Sequence, residues 1–326
     1  MRLRHIYSLG LAAGLATGLA AGYAHAQQYP ARPLRMIVPY PPGGAVDFTA
    51  RLLAQRLGES LGQAVVIDNR GGGGGVIAAD LAARAQADGY TLFFGTPASL
   101  CVAPAIQSKV PYDTLRDFAP ISRLVVNPQI LVVLPSFPAN NVAELIQVVR
   151  AKPGAFNYAS VGVGSPQHLG IELLKARAKL DILHVPYKGG GPAMTDVLAG
   201  RVQIYMASIP GLLPHIKDGK IKVLGVAALE RSQSLPNVPT IVESLPGYEY
   251  VGTWYGMLTQ TKVAPAIITR LNGLLNKALQ ADDIRQTLIS HGSLPQPSSV
   301  EDFARFLRSD CPSWARAVKL AGIKPE

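Results

Sequence analysis

The sequence of 326 residues predicts an α/β protein of two lobes with mainly parallel sheets, joined by two crossing strands. Short β-like runs alternate with helical runs over most of the chain, the pattern of βαβ units. Loops that leave strands and open helices are rich in Gly, Ser and Thr. Two long extended stretches, 118–134 and 248–258, interrupt the alternation where paired strands would run between lobes.

The chain opens with Arg2 and Arg4, an apolar run from Ile6 to Ala21 and the small-x-small tripeptide Ala24-His25-Ala26. These features mark residues 1–26 as an export signal removed near Gln27. The run is shorter than the roughly 20 apolar residues of a membrane span. The mature chain is therefore expected to be exported and soluble. Strands are predicted at 34–38, 64–68, 91–95, 130–134, 156–160, 182–185, 202–206 and 222–226, where short apolar runs are bounded by turn residues. Helices are predicted at 47–61, 76–87, 142–151, 168–180, 192–199 and 210–217, where apolar spacing is near 3.6. From 265 to 323 the pattern is helical, with Pro295-Gln296-Pro297 as a break and Ser298-Ser-Val-Glu301 as a capping-box-like restart. Crossings near 123 and 252 give a first lobe of 27–122 plus 252–326 and a second of 123–251. A cleft between such lobes closes over a solute and shields it from water.

Without Arg2 and Arg4 the 31 basic residues become 29 against 21 acidic ones, a mature formal charge of +8. Such a charge draws anions over long range. It carries no Lys/Arg run of the kind that binds nucleic acid, and export removes the chain from nucleic acid, so that class is excluded. With 48% hydrophobic and 16% charged residues the chain has the composition of ordered cores. An oxidising compartment permits Cys101 and Cys311 to pair, but their spacing does not place them within bonding distance. The reading inclines to two buried free thiols.

The stretch from Met36 to Leu53 is the most informative, because an apolar strand meets a Pro/Gly turn and an amphipathic helix follows at once. Pro42, Gly43, Gly44 and Ala45 then stand at a helix N-terminus beyond a strand's carboxyl end, where backbone N–H groups hold anions. Thr96 lies in a similar loop, as do Ser160, Gly162, Gly164 and Ser165 together, and Ser208 in another. Taken alone, each loop is also an ordinary helix cap. Neutral donors suit a carboxylate, one charge-assisted bond contributing about 1.5–3 kcal/mol. Asp47 in the helix's first turn is favoured by the dipole without any function; the functional reading has it hold a water or a ligand amino or hydroxyl group.

Gly71 to Gly75 lacks the Gly-Lys-Ser/Thr of a phosphate loop and reads as a flexible connection. Lys188-Gly-Gly-Gly191 reads as a turn, with Tyr187 and Lys188 facing the cleft as the further option. No nucleophile elbow, HExxH pair or cysteine metal spacing is present, so no cofactor or metal is expected. Ser165 with His168 is the one seed of an enzyme site; the simpler reading has His168 hydrogen-bond its own loop.

Several phrases in fixed order resemble the Bug (Bordetella uptake gene) family. They are Met36-Ile-Val-Pro-Tyr-Pro-Pro-Gly-Gly-Ala-Val-Asp47, Asp68-Asn-Arg-Gly-Gly-Gly-Gly, Asp88-Gly-Tyr-Thr-Leu-Phe, Leu183-His-Val-Pro-Tyr-Lys-Gly189, Leu235-Pro-Asn-Val-Pro-Thr240 and Leu245-Pro-Gly-Tyr-Glu249. The resemblance runs from Tyr29 to Ile323. It implies a type II periplasmic-binding-protein fold and a monomeric solute-binding protein of a tripartite tricarboxylate transporter. The ligand it implies is a small mono- or dicarboxylate, aliphatic or aromatic, delivered to membrane transporter subunits. By motif, Pro42, Gly43, Gly44, Ala45 and Asp47 match the first carboxylate loop, and Thr96, Ser160, Gly162, Gly164, Ser165 and Ser208 match neighbouring cleft loops. Asn69-Arg-Gly-Gly and Met206-Ala-Ser208 depart from the family's usual phrases, the second near the part that sets specificity. The alternatives are a periplasmic enzyme acting on a small acid and a ligand sensor feeding a kinase.

Overall fold

The computed structural model describes residues 29–228, 230–232, 234–248 and 252–323; the export signal expected at 1–26 lies outside them. From Pro33 onward the chain builds two sheets. It begins with β1 (Leu34–Val38), α1 (Ala45–Leu61), β2 (Val65–Asn69), α2 (Val76–Ala83) and β3 (Thr91–Gly95). On α1, Ala50, Leu53, Ala54, Leu57 and Leu61 recur at three and four residues and are buried, and Gly62 ends the helix in the left-handed region at φ 67°. A π-helical turn, Ala98–Val102, follows β3, and then come short helices at Ala103–Ile106 and Thr114–Asp117.

The next two strands are β4 (Phe118–Asn127) and β5 (Gln129–Val133). Pro128 between them has no N–H to give a ladder, and there the chain changes sheets. Next come α3 (Val142–Ala151), β6 (Asn157–Ser160), α4 (Pro166–Ala178), β7 (Leu183–Pro186), α5 (Gly190–Leu198), β8 (Ile204–Ser208), α6 (Ile209–Lys217) and β9 (Lys222–Ala227). After a short helix at Ile241–Ser244 the chain returns through β10 (Thr253–Gln260), α7 (Pro265–Gln280), α8 (Asp282–Ser290), β11 (Leu294–Pro295) and α9 (Val300–Leu320). The cap of α9 is Ser299, whose side chain accepts from Asp302 N–H, so the expected restart sits one residue later than the Ser298/Glu301 box.

The first sheet has the order β11-β4-β10-β3-β1-β2 and the second β7-β6-β8-β5-β9. Pairing is parallel only among β1, β2 and β3 and among β6, β7 and β8. The expectation of mainly parallel sheets therefore gives way to two mixed sheets. The reason is that β4, β5, β9 and β10 are not joined to their neighbours by a crossover helix, and antiparallel pairing needs none. The second sheet is covered on both faces. Leu131, Val133, Tyr158 and Met206 join a core that also holds Trp254 and Phe303, while Ile130, Val132, Ala159 and Tyr205 pack with residues of α5 and α6.

Cys101 and Cys311 form a disulfide, with Cα atoms 4.6 Å apart across a separation of 210 residues. This corrects the reading of two free thiols: the tertiary fold lays α9 against the Ala98–Val102 turn, a proximity that no local pattern encodes. Closing so long a loop stabilises the fold by roughly 2–5 kcal/mol in the chain-entropy account. A double Cys101→Ser/Cys311→Ser variant should lose a matching amount in urea unfolding, and an unchanged midpoint would show that the bridge constrains nothing.

Candidate ligand-binding site

Loops at the carboxyl ends of β1, β3 and β6 meet around a cavity of about 310 Å³. Tyr40, Gly73, Gly74, Ala98, Val102, Ala103, Ile106 and Gln107 come from the first-sheet side, Val161 to Ser165 from the second, and Ile323 from beyond α9. The wall is aliphatic and glycine backbone, with Tyr40, Gln107 and Ser165 as its polar side chains. Its volume falls at the small end of ordinary ligand sites.

The turn after β1 is set by Asp47, whose carboxylate is buried under three donors. Gly43 N–H and Arg51 Nε each donate to Oδ2 at 2.9 Å, and Asn69 Nδ2 donates to Oδ1 at 2.9 Å. Asn69 also donates to the carbonyl of Tyr40 at 2.9 Å, which ties the end of β2 to this turn. Gly43 N–H is thus already engaged, contrary to the open donor the sequence suggested. Burial raises the Asp47 pKa, but the bonds from Arg51, Gly43 and Asn69 together outweigh it and hold the carboxyl below its usual range. Gly44 is the N-cap of α1 with no side-chain cap, and Pro42, Gly43 and Gly44 are exposed beside the cavity's Tyr40 rather than on its wall.

Thr96 lies beneath the wall. Its N–H donates to Ser99 Oγ at 3.2 Å, Ser99 Oγ donates to its carbonyl at 3.1 Å, and its side chain shares a hydrogen bond with the Tyr40 hydroxyl. The Tyr112 hydroxyl donates to Ser99 O, which holds the π-helical turn from its other side. Gly75 (φ +96°) passes so close that a Cβ there would lie 2.7 Å from Ser99 Cβ and 3.2 Å from Pro39 Cβ. That approach brings Gly73 and Gly74 to the cavity, so the glycine run forms part of its wall as well as connecting β2 to α2.

On the second side Gly162, Gly164 and Ser165 line the cavity. Ser165 is the N-cap of α4 and accepts from His168 N–H at 3.2 Å. His168 Nδ1 accepts from Gly164 N–H at 3.0 Å, the loop-bonded role of the simpler reading. Burial, then the charges of His184 and Lys175, push the His168 pKa down to about 3, so the ring is neutral. Ser160 is fully buried below the loop, and Ser208 ends β8 as the N-cap of α6 without capping it; neither is on the wall. Tyr187 turns its hydroxyl to Asp196 at 2.8 Å. The wall residues that sequence reasoning passed over are Tyr40, Gly73, Gly74, Ala98, Val102, Ala103, Ile106, Gln107, Val161, Val163 and Ile323. The Tyr40 and glycine-run positions lay inside the family phrases, and Ala98, Val161 and Val163 inside the candidate loops; nothing local marks Val102, Ala103, Ile106 or Ile323.

Two mixed α/β sheets, a change of sheet beside an antiparallel strand pair and a cavity between their loops define the type II periplasmic-binding-protein class. The family model described as "Tripartite tricarboxylate transporter family receptor" matches residues 49–323, and the chain belongs to that family. Protein BugT of Bordetella pertussis is 38% identical over 302 residues, 92% of each chain. R. palustris Rpa4515 with adipate superposes at a TM-score of 0.86 and 35% identity, over 91% of this chain and 100% of that one. MatC (Rpa3494) from Rhodopseudomonas palustris with bound malate superposes at 0.80 and 32% identity, over 89% of this chain and 100% of that one.

Gly75→Ala should cost about 1–3 kcal/mol in urea unfolding, whereas Gly44→Ala, at ordinary φ with nothing within 4 Å of its Cβ position, should cost less. Equal losses would remove the close approach at Gly75 as an explanation. Because the Asp47 carboxyl is held below its unfolded value, its stabilisation is complete above about pH 4 and is lost as pH falls through the folded pKa. The stability gap between wild type and Asp47→Asn should therefore narrow as pH drops below about 4; a gap constant from pH 7 to pH 2.5 would contradict this.

Proposed function

We propose that the protein is a periplasmic receptor that captures a small mono- or dicarboxylate, aliphatic or aromatic, and delivers it to the membrane subunits of a tripartite transporter. The observation that carries this reading is the cavity walled by loops of both sheets, since a solute held there contacts both and favours their approach. The aliphatic wall suits the hydrocarbon part of an acid, and glycine backbone with neutral side chains suits a carboxylate without a buried cation. The adipate and malate held by the two R. palustris relatives support the ligand class. The charge of +8 expected after removal of the leader favours anion capture at long range.

In this reading the lobes follow the sheets. The first holds β1 to β4 with β10 and β11 and the second β5 to β9, so the second begins at Pro128 rather than at 123. Gly162, Gly164 and Ser165 meet the ligand, with Tyr40, Gly73 and Gly74 opposite. Asp47, Thr96 and Ser160 shape the wall from one layer out. Pro42, Gly43, Gly44, Ala45 and Ser208 join as the lobes approach. On the same reading the receptor acts as a monomer and turns over no substrate; the second point is supported by the capping bonds that engage Ser165 and the His168 Nδ1.

Thermal unfolding of the mature chain against aliphatic and aromatic acids, adipate and malate included, tests this. An acid at 100 times its Kd should add about 2.7 kcal/mol of stability and be recovered unchanged. No stabilisation by any acid would overturn the ligand class, and product formation would overturn the receptor.

A further inference from the structure

We propose that His168 and His184 are positioning residues: a stacked imidazole pair that holds the Val161–Ser165 wall of the cavity in its ligand-ready shape. The inference rests on the reading of that cavity as the ligand site. Gly162 (φ +130°) and Gly164 (φ +74°) take conformations that side chains rarely adopt, and the loop between β6 and α4 has no ladder to keep it there. Two side-chain acceptors take its amides instead. Gly164 N–H donates to His168 Nδ1 at 3.0 Å, and Gly162 N–H donates to Ser160 Oγ at 3.1 Å, an oxygen 2.6 Å from His184 Nε2.

The two rings stack at 4.0 Å between centroids and 14° between planes, and Tyr158 stacks on His184 at 4.8 Å. Glu172 completes the layer, accepting from the Tyr158 hydroxyl at 2.5 Å and from Lys175 Nζ at 2.6 Å. Acceptance at Nδ1 requires the neutral ring with its proton on Nε2, the state that burial enforces for His168. The pair draws on three elements: β6 gives Tyr158 and Ser160, β7 gives His184, and α4 gives His168. It therefore braces both ends of the loop at once. Hydrocarbon side chains would fill the same space, but one at 168 would leave the Gly164 amide without its acceptor, and one at 184 would leave Ser160 Oγ, the acceptor of the Gly162 amide, without its imidazole partner.

His168→Asn places an amide oxygen close to the position of Nδ1, whereas His168→Leu keeps bulk and removes the acceptor. Hydrogen exchange at Gly164 in the mature chain should quicken about tenfold or more in His168→Leu relative to strand β5 and return toward wild type in His168→Asn. Calorimetric affinity for adipate or malate should fall about tenfold in the Leu variant and within about threefold in the Asn variant. Unchanged Gly164 exchange in His168→Leu, equal loss in both variants, or full affinity despite lost protection would overturn the proposal. If the Leu variant does not fold, His184→Leu carries the test at Gly162, whose acceptor Ser160 Oγ then loses the imidazole 2.6 Å away. Should wild type take up neither acid, the carboxylate reading suffers, and the exchange result still decides the role of the histidines.

Discussion

The antiparallel ladder between β4 and β10 is the constraint on which the rest of the architecture depends. It runs from Asn127 opposite Thr253 to Phe118 opposite Gln260, so the residue where the chain leaves the first sheet lies beside the one where it re-enters. Gln129, the first residue of β5, donates from Nε2 to Thr253 Oγ1 at 2.8 Å and ties the departing strand to the returning one. Because both passages leave from the same end of one ladder, the two sheets are joined side by side. The cavity exists because the carboxyl ends of β1, β3 and β6 then face a common space.

A second constraint comes from α9. Its disulfide reaches the π-helical turn behind the cavity wall, and its Asp310 accepts from Trp254 Nε1 at 2.7 Å and Trp314 Nε1 at 2.8 Å. Trp254 lies at the start of β10, so one helix anchors both the wall and the re-entry strand. Burial raises the Asp310 pKa even against the two indole donors and the charge of Arg123, which sits 4.4 Å over the ring of Phe306. The wall itself is kept by buried polar bonds, with Thr96 and Ser99 on one side and Ser160, His168 and His184 on the other. Such networks specify a single shape because each unmade bond inside the protein is costly.

Much of this was legible in the sequence. The strands at Leu34–Val38 and Thr91–Gly95 and the helix at Val142–Ala151 coincide with their predicted limits, since each carries its own period and boundary residues. Most other elements shift by a residue or two where caps decide the ends, as at α4, which begins at Pro166 behind the Ser165 cap, while α2 ends at Ala83, four residues short of its expected limit. The loop from Gly162 to Ser165 was found because a strand, a glycine turn and a helix cap are local signals. Gly43 was misread as an open donor although its partner Asp47 is only four residues on, because what turns that carboxylate back onto it includes Asn69, twenty-two residues from Asp47, as well as Arg51.

The sequence by itself determined the βα alternation, the loops that open helices, the family to which the motifs belong and the pairs of residues able to bond within one loop. These follow from periodicity and from contacts a few residues apart. The tertiary structure decided the antiparallel share of each sheet, the bridge from Cys101 to Cys311, the place of Gly73 and Gly74 on the cavity, and the aliphatic wall that Val102, Ile106 and Ile323 build. Each of those depends on residues brought together from distant parts of the chain, and the free energy of such contacts is set by three-dimensional packing that no local pattern contains.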